Sequence, residues 1–297
     1  MVNAQVGRGA VMVFSVKNRV FGVGFYLALA LLAGGASYGS AALATETNDK
    51  EDIQNTIFRY KTALEVNPND GKNRLKLAVA YQTNGEVDKA IEEFKKAVKL
   101  SPEEPECYMG LGRAYARKAQ LQLACDNLKE AVRLAPKEAA YHLKYAQVLG
   151  RFNKLDQSIA EFRTAIKLNA NDPIAHRDFG ACLGLKGDVA GQIVEEQKAI
   201  GLASDNSGAY YYLGSAYAQQ GKAAEAEAAL KKCVALDKKN AEAYSLLSGI
   251  AASTKQFKQA VDYAQTAVNL DPDNADYARV LGKLKDAAAG MPLTKGK

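Results

Sequence analysis

Ala63, Ala97, Ala131, Ala165, Ala199, Cys233 and Ala267 stand 34 residues apart, with no insertion or deletion between them. A chain that repeats at such a period must stack copies of one supersecondary unit. A second series keeps the phase: Leu77, Leu111, Tyr145, Phe179, Leu213 and Leu247 are all large. Each is followed by a small residue, Ala78, Gly112, Ala146, Gly180, Gly214 or Ser248. Within one unit, positions 77, 78 and 81 and positions 90, 94 and 97 have helical spacing. Gly85, Gly187 and Gly221 fall between the two clusters and suit a turn after a helix end. Each unit is therefore expected to be two antiparallel helices. One such hairpin cannot bury its apolar side alone, so neighbours must stack.

Tyr108, Leu111, Gly112, Tyr115, Ala124, Leu128, Ala131 and Pro136 together resemble the signature of the tetratricopeptide repeat family. Six full units match in phase, at 71–104, 105–138, 139–172, 173–206, 207–240 and 241–274. Residues 45–70 read as a linker and an N-terminal half-repeat helix, residues 275–288 as a C-terminal capping helix, and residues 289–297 as a tail. The resemblance implies an all-α fold, a right-handed superhelical solenoid of antiparallel helix pairs. The unit at 173–206 departs most. Gln192 and Glu196 stand where a small and a large apolar residue are expected, and Gly191 and Gly201 each weaken a helix by about 1 kcal/mol. Its second helix is expected to be the least stable.

Residues 20–33 are apolar and uncharged, follow Lys17 and Arg19, and lead into Ala42-Leu43-Ala44. That order is a secretory signal, with cleavage expected after Ala44 and an exported, periplasmic or equivalent location. The alternative is an uncleaved anchor in the inner membrane with the repeats outside, since residues 20–44 are long enough to span. Met12 would give the signal a more ordinary start than Met1.

Composition removes several function classes. Three of the 39 basic residues lie before residue 45, which leaves 36 basic against 33 acidic side chains in the repeats. That balance is too even for nucleic-acid binding driven by phosphate neutralisation. His142 and His176 are the only histidines and occupy the same place in successive units. Stacked helices lie roughly 10 Å apart, too far for shared metal ligation, so both are expected to be packing residues. Cys107, Cys125, Cys182 and Cys233 form no C-x-x-C and are expected to be structural thiols. Glu92-Glu93 and Glu195-Glu196 are expected on solvated helix faces. No phosphate loop or nucleophile triad has supporting spacing, so no catalytic, metal or cofactor residue is assigned and the chain is read as no enzyme.

The resemblance further implies that first helices line a concave groove. Its basic middle would comprise Arg113, Arg117, Lys144, Gln147, Arg151 and Arg177, facing one acid, Asp178. Met109, Leu143, Tyr211 and Tyr212 would supply apolar contacts. Arginine binds carboxylates through two parallel bonds and stacks on rings. The expected ligand is a protein or peptide with acidic groups or a C-terminal carboxylate. The Lys/Asn carboxylate clamp of chaperone adaptors is not expected, because Leu75/Val79, Met109/Arg113, Leu143/Gln147 and Arg177/Ala181 stand at its positions. The function expected is a non-catalytic interaction scaffold in envelope or membrane-complex assembly. The alternatives are a substrate-presenting or regulatory subunit of an envelope enzyme complex, and the same scaffold tethered through residues 20–44.

Overall fold

The computed structural model describes residues 46–290, and the signal or anchor expected at 1–44 lies outside them. Among the described residues there are helices and turns and no strand. A single helix, α1 (Glu46–Val66), precedes the first hairpin. The hairpins are α2/α3 (Gly71–Thr83, Val87–Leu100), α4/α5 (Pro105–Arg117, Leu121–Leu134), α6/α7 (Ala139–Arg151, Leu155–Leu168) and α8/α9 (Pro173–Lys186, Val189–Leu202). They are followed by α10/α11 (Ser207–Gln219, Ala223–Leu236), α12/α13 (Ala241–Ser253, Phe257–Leu270) and the lone α14 (Ala275–Ala288). The helices group into two compact bodies, 46–212 and 213–290, with the boundary inside α10.

Local chemistry sets the helix limits. Asp70, Asp172 and Asn240 accept hydrogen bonds from the first free backbone N–H groups of α2, α8 and α12, at 2.8 to 3.2 Å. Pro105 and Pro173 open α4 and α8, where a missing N–H costs nothing. The turn inside each hairpin needs one residue in the left-handed region. Gly85, Gly187 and Gly221 supply it at φ +81°, +90° and +74°. The same position in the other hairpins is held by Ala119, Asn153 and Lys255, at φ 56°, 57° and 63°. The period therefore imposes the geometry even where the residue is ill suited to it.

In the first body one core cluster runs from Ile57 to Leu149 and a second from Leu143 to Leu183. α3 buries Ala90, Ile91, Phe94 and Ala97, the apolar stripe of an amphipathic helix. A methyl group on Gly112 would lie 2.6 Å from Leu128 Cγ, so that glycine sets the α4–α5 distance. Gly110, two residues earlier and on the other side of α4, faces the ring of Phe94 in the preceding hairpin. Fully burying a Phe or Leu contributes roughly 1.5–3 kcal/mol; Phe94, Leu128 and Phe162 do so at one position of three successive units, and Leu149 adds a second in the third. The second body repeats the scheme: Gly214 packs on Leu230, and Leu281 and Leu284 of α14 close the core over Ala260 and Ala264. Arg279, Lys283 and Lys285 of α14 point to solvent.

The unit at 173–206 keeps the hairpin but changes its filling. Gln192 and Glu196 project into the α8–α9 contact, where Gly184 and Gly180 make room for them. Gln192 Nε2 donates to the Tyr212 carbonyl at 3.1 Å. Glu196 is wholly buried, and neither carboxyl oxygen has a hydrogen-bond partner. The expectation of solvated carboxylates fails here: Glu195, Glu196 and Glu93 are buried, while Glu92 is exposed. Adjacent residues on a helix point about 100° apart, which separates Glu92 from Glu93, whereas Glu195 and Glu196 are both covered, Glu195 beside His176 and Glu196 against Gly180.

Candidate partner-binding groove

Within the first body, first helices touch one another from hairpin to hairpin, α2 with α4, α4 with α6 and α6 with α8. They therefore form the inner layer, and their free sides make a shared face. Positions four residues apart fall on that face in every unit, because one helical turn returns the same direction. Met109 and Arg113 on α4, Lys144, Gln147 and Arg151 on α6, and Arg177 on α8 stand there half-buried or exposed. Arg117, exposed at the end of α4, reaches back one unit and donates to the Gln82 carbonyl at 3.0 Å.

The centre of the face is a linked set of polar groups. Lys144 Nζ donates to Gln147 Oε1 at 3.0 Å, and Gln147 Nε2 donates to Asp178 Oδ2 at 2.5 Å. Arg177 grips the other oxygen of Asp178 through Nε at 2.9 Å and Nη2 at 2.7 Å. Asp178, the one acid, is buried and already satisfied. Burial lowers the proton affinity of the Lys144 amine, and the positive charges of Arg113 and Arg177 lower it further, against a partial offset from Asp178. Burial also works against Arg177, but the Asp178 carboxylate beside it outweighs that and holds its charge. Arg151 is disfavoured by burial, and its Nε has no partner. Among the described residues Arg113 makes no ion pair. The arrangement is a concentration of positive charge whose hydrogen-bonded counter-charge, Asp178, is spent.

Two expected contact residues are not on the surface. Leu143 and Tyr212 are 7% and 6% exposed, so both are core side chains rather than groove anchors. Each neighbours a groove residue in sequence, and the face is narrower than that reading assumed. Leu143 packs with Ala146, Phe162 and Phe179. Tyr212 meets the ring of Tyr211 edge-on at 5.3 Å, and Tyr211 is half-buried beside it. Gln82 on α2 accepts the Arg117 hydrogen bond through its carbonyl. It is buried, with Nε2 unpartnered. Nothing in its spacing separates it from a solvated glutamine.

The histidines are buried, as packing residues would be, but they are also bonded. His142 Nδ1 lies 2.6 Å from Glu161 Oε2, and His176 Nδ1 lies 2.6 Å from Glu195 Oε2. No group of three or more potential ligands that could hold a metal ion occurs among the described residues. The four cysteines are buried and free.

Stacked helix hairpins of 34 residues with a small residue at each crossing define a helical repeat protein of the solenoid class. Models of the tetratricopeptide repeat match residues 83–119, 109–173 and 217–284, together more than half of the chain. The chain belongs to the tetratricopeptide repeat family. Solved structures agree in fold. A chain of the Cut9–Hcn1 hetero-tetramer of the APC/C superposes with a TM-score of 0.68 at 16% identity, over 80% of this chain and 47% of that one. This chain thus spans about half the length of that relative. A tetratricopeptide repeat protein from Parabacteroides merdae gives a TM-score of 0.63 at 13% identity, over 88% of this chain and 99% of that one. YrrB, described as having an unusual peptide-binding site, gives 0.54 at 21% identity, over 66% and 97%. No curated protein matches by sequence. A fold of this class makes the chain a protein–protein interaction scaffold.

Proposed function

We propose that the inner face of the first body holds an acidic, extended segment of a partner protein, and that the scaffold serves complex assembly in a cell envelope without catalysing a reaction. The observation that supports the groove is the crowding at Lys144. A half-buried amine is pressed by Arg113 and Arg177 while Asp178 is committed to Arg177 and Gln147. A partner carboxylate would relieve that repulsion and accept the free bonds of Arg113. Met109 and Tyr211 border the charged centre and suit apolar side chains of the same segment. The peptide-binding site described for YrrB gives the fold a precedent for such a ligand.

The envelope part of the proposal rests on residues 17–44, whose basic, apolar and small-residue order suits export or tethering. Among the described residues no helix is long and apolar enough to cross a membrane. Unpaired cysteines are compatible with an oxidising compartment here because all four are buried.

The test is affinity capture from an envelope extract with the full chain, beside an Arg113→Glu/Arg117→Glu variant. Both residues are exposed, so the variant keeps its core. Partners should be lost with the variant, and affinity for a captured partner should fall at least about tenfold and weaken with salt. Equal capture by both baits would move the site off this face.

A further inference from the structure

Three units carry the same three-way contact at the same spacing. Arg74 donates through Nε and Nη2 to the Pro68 carbonyl, six residues back, and through Nη1 to Glu93 Oε2, nineteen residues on, at 2.8 Å. His142 faces the Pro136 carbonyl through Nε2 at 3.0 Å and Glu161 Oε2 through Nδ1 at 2.6 Å. His176 faces the Ala170 carbonyl through Nε2 at 3.0 Å and Glu195 Oε2 through Nδ1 at 2.6 Å. In each case one side chain on the first helix ties the turn that enters the hairpin to the second helix of that hairpin. The remaining units have Tyr108, Tyr210 and Tyr244 at the position and lack the pattern.

Arginine makes this contact with a permanent charge and several donors. Histidine does not. A neutral imidazole has one N–H and one lone pair, so it can donate to only one of two acceptors. With a carbonyl on one nitrogen and a carboxylate on the other, the closed contact holds one proton more than neutral imidazole beside an ionised carboxylate. Without that proton, a buried lone pair would face an oxygen, and one acceptor would lose its donor.

We infer that His142 and His176 are proton-operated latches, closed on a doubly protonated ring and released when that proton leaves, while Arg74 is the same latch fixed shut. The charged surroundings are sparse. His142 faces Glu161 on α7, with Glu138 in the turn before α6. His176 faces Glu195 on α9, whose other oxygen takes Lys198 at 2.8 Å, with Asp172 in the turn before α8 and Glu196 beside Glu195. Glu195 is 8% exposed and His176 is 4% exposed, so water does not replace the lost bond. Release frees the entering turn of two consecutive hairpins, α6/α7 and α8/α9, whose first helices carry Lys144 and Arg177.

The chain's own Arg74 supplies the test. Thermal unfolding of the full chain is compared with a His142→Arg/His176→Arg variant at about pH 6 and about pH 8.5, across the range where imidazole exchanges its proton. The wild type should lose at least about 2–4 °C more than the variant on going to the higher pH. The converse variant, Arg74→His, should add to the wild-type loss. Equal pH dependence in wild type and double-Arg variant overturns the inference. A second readout needs no variant: nitrogen-15 spectra of the two rings in the folded protein. Two N–H groups per ring at about pH 6, falling to one as pH rises, are expected; a single N–H per ring at the lower pH would also overturn it.

Discussion

Glu196 stands where Phe94, Leu128, Phe162 and Leu230 stand in other units, and it is buried as completely as they are. Burial raises the proton affinity of its carboxyl well above the ordinary carboxylate range, with only Arg177 pulling the other way. The folded chain therefore binds a proton there that the unfolded chain releases. The stability tied to that proton is present at acid pH and lost as pH rises from the ordinary carboxylate range through the raised value. Replacing Glu196 by Leu should stabilise the protein at neutral pH by about 1–3 kcal/mol, the cost of leaving a buried polar group unpaired. Urea unfolding at about pH 4 and pH 7 checks this: the gain should be larger at the higher pH, and a pH-independent gain would mean that packing alone is responsible. Position 196 was legible in the sequence as a departure from the period. That its carboxyl points inward was not, because the glycine that admits it, Gly180, occupies a different helix.

At the scale of the element, the hairpin turn shows how strongly the repeat overrides its local residue. Ala119 and Lys255 adopt left-handed φ values of 56° and 63°, where a side chain costs roughly 1–2 kcal/mol. Ala119→Gly and Lys255→Gly should each stabilise the chain by up to about 1 kcal/mol, less the entropy that glycine adds to the unfolded state. Chemical denaturation reads the change. A loss in either variant would show that the side chain makes compensating contacts. The turn glycines at 85, 187 and 221 were legible from their place between the two helical clusters of a unit. The three non-glycine turns were legible only from the 34-residue period. The second helix of the 173–206 unit, read as the weakest, is a full-length α9 whose polar filling is partly met by the Gln192 bond to Tyr212.

Over the whole molecule, stability is a sum of hairpins and the contacts between neighbours, so each compact body should report its own opening. The cysteines are placed to do that. Cys107, Cys125 and Cys182 lie in the first body and Cys233 in the second, all buried. Burial pushes the Cys107 thiol up to about 11 and the Cys233 thiol up to about 12. The native protein at neutral pH should resist a thiol-specific reagent while a urea-unfolded control reacts fully, and labelling should then track unfolding body by body. Prompt labelling of any native cysteine would contradict its burial.

The repeat period, the two helices per unit, their turns and the family follow from the sequence by itself. They rest on local geometry: 3.6 residues per turn and a fixed spacing of small and large residues leave one way to stack. The basic stripe from Arg113 to Arg177 was legible for the same reason. The tertiary structure alone decided which groove residues are spent and which are free. Asp178 is consumed by Arg177 and Gln147, Leu143 and Tyr212 turn into the core, and the glutamates at 93, 161 and 195 meet Arg74, His142 and His176. Apart from the Arg177–Asp178 contact between neighbours, the polar outcomes depend on partners 19 to 31 residues away and on which oxygen of a carboxylate is reached. Spacing along one helix carries no information about either.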